Sequence, residues 1–388
     1  MNHINLSPEK EHLVITFPFS EESLKAVREV PGRRYDTARK RWIVPVVNAD
    51  ICVEILREAG FTPSTEVSLE VIKQNNLRNI ESNPRHLIDE TGMEPLQQVD
   101  ESLYDFQKKG TNFLYYMRSA MLADAPGLGK TIQTISSLQG AKKVLILCPS
   151  SLKFEWKKEI NKWRPKEELI VIDGDADTRY LQWGESNDSN VRWFIANYEL
   201  LLRTGDFQMM KKITWDAVVC DEATRISSPM AKTTRAVFQI PCSRRIALTG
   251  TPISNSPMDL YSPMSWIAPG ILGKFSDFQA RYCKFESVDV SYGRGKKFVR
   301  KMVGFRNLDE LSRVCNRFIL RRTKEEVLKD LPPKTFQEIV FELTDAERKV
   351  YEGVRRDIAE EVKKLSVAQD TIPIAAVKIL RLKQITGS

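Results

Sequence analysis

Paired cysteines are missing from this sequence. Its six cysteines, among 388 residues, are scattered and never form C-x-x-C, and the three histidines (His3, His12, His86) do not approach them at ligand spacing. That argues against both a disulfide framework and a metal cluster, and points to reduced thiols. No apolar run nears the ~20 residues that a membrane-spanning helix takes. The opening "MNHINLSPEKEHLV" lacks the basic-then-apolar character of a signal peptide. Internal repeats and low-complexity tracts are also lacking. What remains is 42% hydrophobic and 28% charged, ample for a core. At ~100–200 residues per domain the length suits two or three domains. Lys and Arg exceed Asp and Glu by 59 to 51, for a net charge of +8. Such an excess serves solubility unless it clusters, in which case a polyanionic partner is expected.

Residues 12–62 read as a compact unit of strand, helix, hairpin and helix. "HLVITFPF" alternates as a strand, and Ser20 can cap a helix carrying Leu24, Val27 and Val30 on one face. Pro31-Gly32 opens a hairpin over "RRYDTARKRWIVPV", and "NADICVEILREAGF" is a second amphipathic helix. Residues 63–100 read as a polar linker with some helix. From 101 the chain alternates helices with apolar strands: "AMLA", "KVLIL", "ELIVI", "RWFIA", "DAVVC" and "RIAL". That order predicts an α/β fold around a parallel sheet. After 257 the strand signal fades. "FRNLDELSRVCNRFILRRTKEEVL" and "TDAERKVYEGVRRDIAEEVKKL" read as helical, separated by a Pro332-Pro333 break.

"DAPGLGKT" ends in Gly-Lys-Thr, behind a predicted strand and ahead of a predicted helix, as a phosphate loop requires. Backbone N–H groups around Gly127, Leu128 and Gly129 would cradle phosphates. Lys130 would reach the β and γ phosphates of ATP, and the Thr131 hydroxyl would ligate Mg²⁺. Asp124, counted with the loop as an ATP-binding residue, stands where the strict pattern has its first glycine. Farther on, an apolar strand ends in "VVCDEATRI" and so delivers two acids to the carboxyl edge of the sheet. Asp221 is suited to the metal's hydration shell, and Glu222 to orienting and deprotonating a water.

In the same order the chain carries "LYDFQKKG", "LILCPSSLKFEWKKEINKW", "IANYELL", "ALTGTPISNSPMDLYSPMSWI" and "FILRRTKEEVLKDLPPK". Over residues 101–388 it resembles the first motor lobe, with its helical protrusion, of Swi/Snf-type ATPases of helicase superfamily II. The resemblance implies a RecA-like ATP-binding lobe over 101–256, a protrusion over 257–388, and DNA-stimulated translocation along duplex. It implies that Gln107 reads the adenine edge. It implies that Ser150, Ser151 and Lys153, with Asn197 and Tyr198, contact a DNA strand, although Asn197 and Tyr198 suit backbone caps as well. Thr249, Gly250 and Thr251 would couple nucleotide state to DNA. Thr224 stands where many relatives have histidine, which puts coupling there in question.

The first 63 residues resemble the HARP module of annealing helicases, a small βαββα domain, with 64–100 as the linker. Arg33, Arg34, Arg39, Lys40 and Arg41 face a single acid, Asp36, with Tyr35 and Trp42 between them. The cations can neutralise phosphates and the aromatics can stack on bases, or Trp42 can instead fill the small core. A second cluster, "SYGRGKKFVRK", is either a solvated hairpin or a DNA contact. The end at "VKILRLKQITGS" resembles the stretch preceding the family's second lobe, so these residues alone are expected to bind ATP·Mg²⁺ weakly and hydrolyse it negligibly. Two other readings remain open: a strand-separating helicase or restriction-type motor, and a non-catalytic DNA-binding scaffold. The expected setting is cytoplasm or nucleoid of a bacterial or phage source, and the nucleus in a eukaryote. Protein partners are not legible.

Overall fold

Seven parallel strands organise the larger part of the chain. The computed structural model describes residues 2–78, 101–187, 190–253, 256–289, 298–327 and 344–364. They fall into two compact units, Met1–Lys329 and Asp330–Ser388.

The first unit begins with a small module of five strands: β1 (His3–Leu6), β2 (His12–Thr16), β3 (Arg34–Asp36), β4 (Arg41–Pro45) and β5 (Thr62–Pro63), in the order β3-β4-β2-β1-β5. Helices α1 (Glu21–Glu29) and α2 (Ala49–Glu58) cover the sheet. The Ser20 side chain caps α1 by accepting from the Ser23 N–H at 3.0 Å. The module thus has β1 and β5 beyond the expected βαββα order. Both are too short to show a period of two. The first turns of α3 (Thr65–Arg78) also belong to it, because Val67 is fully buried in the module's core. Residues 79–100 of the expected linker lie outside the described residues.

In the large sheet β6 (Ala120–Leu122), β7 (Val144–Cys148), β8 (Glu168–Val171), β9 (Val191–Asn197), β10 (Trp215–Asp221) and β11 (Cys242–Leu248) correspond to the six expected strands. Alternate side chains enter two cores. Leu145 and Leu147 pack with Phe194, Val218 and Cys220 on one face. Val144, Ile146 and Cys148 pack with Ile195, Val219 and Ile246 on the other. Burial on both faces explains why these strands read as continuous apolar runs. The six cysteines are free, and burial pushes the Cys52 and Cys148 thiols up to about 12.

The strands do not end at 257. β12 (Cys283–Asp289) and β13 (Phe298–Phe305) pair antiparallel, and the basic residues between them lie outside the described residues. β14 (Ile319–Leu320) completes the sheet in the order β14-β6-β11-β10-β7-β9-β8. It interrupts a stretch expected to be helical. Two residues carry no periodicity, and the partner that makes them a strand is β6, about 200 residues earlier in the sequence.

The module and the lobe meet at a close polar seam. Asn48, fully buried, donates to Pro31 O at 3.1 Å and Ile271 O at 3.0 Å, while its Oδ1 accepts from Arg317 Nη2 at 2.7 Å. Arg317 also pairs with Asp50 at 2.8 Å, both side chains being 7% exposed. Gly32 (φ 72°) and Gly270 (φ 84°) face each other across the seam. A Cβ on Gly32 would lie 2.6 Å from Gly270 O, and one on Gly270 would lie 2.9 Å from Pro45 Cγ. In the second unit the helix Asp345–Lys364 forms as expected, with Thr344 and Glu347 capping each other's N–H groups.

Candidate nucleotide site

All seven strands run parallel, so their carboxyl ends share one edge. Register pairs Asp221 of β10 with Leu248 of β11, and Leu248 with Leu122 of β6. The loop after β6 and the acids after β10 therefore flank the end of β11. Gly250, just beyond β11, abuts Pro126 of the loop: a Cβ there would lie 3.0 Å from Pro126 Cγ. Thr249 Oγ1 accepts from the Thr251 N–H at 3.1 Å and tightens that turn.

Within the loop, Gly127 (φ 85°) and Gly129 (φ 75°) are left-handed, and the helix Lys130–Ser137 starts directly behind. Gly129 is needed for space as well, since a Cβ would lie 2.5 Å from Gln107 Nε2. Gln107 is fixed from two sides. Its Oε1 accepts from the Tyr104 N–H at 3.1 Å, and its Nε2 donates to Leu128 O at 3.3 Å. Lys130 Nζ donates to Asp124 O at 2.9 Å. Burial lowers the Lys130 pKa, against the pull of Glu222, Asp221 and Asp124. Thr131 is half-buried at the helix start.

Asp221 Oδ2 accepts from Trp156 Nε1 at 2.8 Å, and its Oδ1 from the Glu222 N–H at 3.0 Å. Burial raises the Asp221 pKa above the usual carboxylate range; Trp156, the Glu222 N–H and Lys130 act in the opposite direction. Glu222 is raised by burial and then by Asp221. Its backbone is left-handed at φ 54°, a costly conformation for a residue with a Cβ and a frequent feature of functional turns. Thr224 Oγ1 folds back 3.5 Å from Glu222 O, within its own turn.

The first position of the loop has its own explanation. Asp124 is fully buried and paired with Arg322, Nε to Oδ1 at 3.0 Å and Nη2 to Oδ2 at 2.5 Å. Gln133 donates to Asp124 Oδ2 at 3.2 Å and to Leu128 O at 3.1 Å, and accepts from Arg322 at 2.8 Å. Arg322 also donates to Phe106 O, and its own carbonyl accepts from the Ala125 N–H at 2.9 Å. The loop is thus tied to the chain just after β14. Neither Arg322 nor Gln133 was legible as a site residue. The quoted "FILRRT" held the arginine, but only tertiary pairing shows which acid it serves.

Two of the expected DNA contacts are buried and bonded within the lobe. Lys153 is 4% exposed, its Nζ donating to Ile172 O at 3.2 Å and to Asp173 at 2.6 Å. Tyr198 is 2% exposed, and its hydroxyl donates to Asp221 O at 2.8 Å. Both serve the lobe's interior. Ser150 and Ser151 are exposed in a turn after β7, and Asn197 ends the neighbouring β9 with its amide on Glu199 at 2.7 Å. These three share the carboxyl edge of the sheet with the candidate nucleotide site. Arg33, Arg34, Arg39, Lys40 and Arg41 belong to the β3–β4 hairpin region of the N-terminal module. Asp36 accepts from the Ala38 and Arg39 N–H groups, both at 3.2 Å, and Arg41 lies 3.6 Å from its carboxylate. Trp42 is half-buried at the rim of the module's core.

The chain resembles known proteins over much of its length. The SNF2-related domain family matches residues 104–386. Human DNA repair and recombination protein RAD54B is 38% identical over 256 residues, 61% of this chain and 27% of that protein. A Caenorhabditis elegans homologue of the SWI/SNF-related matrix-associated actin-dependent regulator of chromatin subfamily A-like protein 1 is 28% identical over 84% of this chain and 46% of its own length. That share exceeds what residues 104–386 hold, so the match reaches into the first 103 residues. The solved Sulfolobus solfataricus SWI2/SNF2 ATPase core in complex with dsDNA superposes with a TM-score of 0.50 at 28% identity, over 76% of this chain and 60% of that one. The chain spans 27–28% of the length of the RAD54B relatives it matches. With a phosphate loop, an Asp-Glu pair and a RecA-like sheet in register, this chain belongs to the SNF2-related domain family.

Proposed function

We propose that this chain is the nucleotide-binding lobe of an ATP-driven DNA translocase that remodels duplex or forked DNA, with the N-terminal module selecting the DNA structure. The observation that carries the reading is the gathering of Lys130, Asp221 and Glu222 at one sheet edge, where the lysine and the two acids act on each other electrostatically. A loop of left-handed glycines at a helix start, facing two carboxylates, suits a triphosphate with its magnesium ion. Lys130 and the loop N–H groups would hold the phosphates, Thr131 and Asp221 the metal, and Glu222 a water. When bound, ATP supplies the phosphoanhydride whose cleavage drives movement. Thr249 to Thr251, seated against Pro126, would pass the nucleotide's state towards the DNA side.

Duplex DNA is the ligand named for the archaeal ATPase core, and DNA repair is named for RAD54B. Here Ser150, Ser151 and Asn197 would face the DNA strand. The annealing-type specificity rests on the basic hairpin of the N-terminal module. We further propose that full turnover takes a second lobe, so that residues 1–388 bind nucleotide but cleave it slowly. Titration with a fluorescent ATP analogue and Mg²⁺ tests the site: the chain should bind it and Lys130→Ala should not. In the protein joined to a second lobe, DNA should stimulate hydrolysis, and strand reannealing should exceed strand displacement. Displacement without reannealing would favour the strand-separating reading.

A further inference from the structure

Beside the seam, between module and lobe, lies a cleft of about 810 Å³. Arg28, Arg33 and Arg34 line it from the module and Lys274 from the lobe, against one carboxylate, Asp277. One wall is aromatic: the Tyr35 and Trp42 rings lie 5.2 Å apart at 59°. Trp42 is set by β4 and half-buried against the module's core, whereas Tyr35 is 44% exposed. Behind the cleft, the buried Asn48 bridge, the Arg317–Asp50 pair and the Gly32–Gly270 approach hold the two sides together. The cleft therefore exists before any ligand enters it.

We propose that this cleft holds an unpaired DNA strand, gripped by the module and the lobe together. The proposal rests on the DNA-motor reading and names the form of DNA that this surface takes. Cations alone neutralise phosphates of any nucleic acid and do not discriminate. An offered aromatic face does discriminate, because it can stack only on a base whose own face is free, and duplex bases already cover one another. An acidic peptide would use the arginines and leave the aromatic wall without a role. Four of the five hairpin cations also divide. Arg33 and Arg34 face this cleft, while Lys40 and Arg41 line a separate one with Phe19 on the other side of Trp42. Arg33 is steadied by donating to Val30 O at 3.2 Å, whereas Arg28, Arg34 and Lys274 are exposed and can follow a backbone. Because Lys274 belongs to the lobe, a strand held here would move with the motor rather than on a tether.

Fluorescence anisotropy of the chain 1–388 with labelled oligothymidylate, a duplex of equal length and polyglutamate tests this. The chain should bind oligothymidylate in preference to the other two. Arg34→Ala with Lys274→Ala, one cation from each side, should weaken binding about tenfold. It should also flatten the log K against log[salt] slope by about 1.4, from two phosphate contacts at about 0.7 each. Tyr35→Ala should cost about fivefold or more, and Tyr35→Phe should restore the parent affinity, since the ring alone stacks. All three positions are exposed, so the fold should be retained. Lys130→Ala should lose nucleotide and keep the oligonucleotide, which separates failure of the motor reading from failure of the cleft. Unchanged oligothymidylate affinity and slope in the double variant would overturn the proposal, as would preference for duplex or for polyglutamate.

Discussion

Two arginines five positions apart close two different regions of this molecule. Arg322 pairs with buried Asp124 and fixes the phosphate loop; Arg317 pairs with Asp50 and fixes the N-terminal module to the lobe. The short strand β14 lies between them. The two pairs differ in what surrounds them. At the loop, Gln133 and the Phe106 carbonyl share the guanidinium, so the pair belongs to a network around the candidate nucleotide site. At the seam, Asn48 completes the set, and its partners are backbone carbonyls of module and lobe. Similar ion pairs thus do unlike work, one preparing a binding loop and the other joining two bodies.

The comparison can be broken in order of expected effect. Lys130→Ala should abolish nucleotide binding, read by titration with a fluorescent ATP analogue, without moving the melting temperature much, because among the described residues its amine donates to a single loop carbonyl. Arg322→Met and Arg317→Met should each destabilise the chain by about 3–5 kcal/mol, the cost of breaking a buried ion pair by removing one partner, measured by urea unfolding. Nucleotide affinity should separate them, falling in the Arg322 variant and holding in the Arg317 variant. Equal losses would mean that β14 transmits strain and that the two regions are one. Gly270→Ala should open the seam at a cost of about 1–3 kcal/mol from the left-handed backbone and the contact with Pro45, seen as earlier proteolysis between module and lobe.

The smallest effect concerns pH. Burial holds the Asp221 and Glu222 carboxyls above their ordinary range, so ionising them is harder in the folded chain than in the unfolded one. The stability tied to their protonated forms is complete at acid pH and is lost as pH rises through the raised values. Asp221→Asn, which still offers an oxygen to Trp156, should therefore raise the melting temperature by a few degrees at neutral pH. The gain should shrink as pH falls below the carboxylate range, and a thermal scan across pH reads it directly. A gain independent of pH would assign it to packing.

Much of this was legible beforehand. Six sheet strands, the phosphate loop and the Asp-Glu pair announce themselves by local pattern, because strands buried on both faces and loops that meet phosphates each need particular residues at particular spacing. Ser20 as a helix cap was equally local. That Lys153 and Tyr198 turn inward was not legible, since a motif marks a position and not the direction in which its side chain turns. β14 failed because two residues have no period.

Composition, spacing and motif order therefore determined the α/β class, the strand sequence and which residues stand at the carboxyl edge of the sheet as candidates for a nucleotide. Which acid Arg322 serves, which face of the hairpin Arg34 and Tyr35 share with Lys274, and that the module is joined to the lobe through Asn48 were decided only by tertiary structure. The physical reason is range. Backbone periodicity and turn chemistry act over a few residues. Buried ion pairs and close backbone approaches join positions some 200 or more residues apart, and no local window contains both partners.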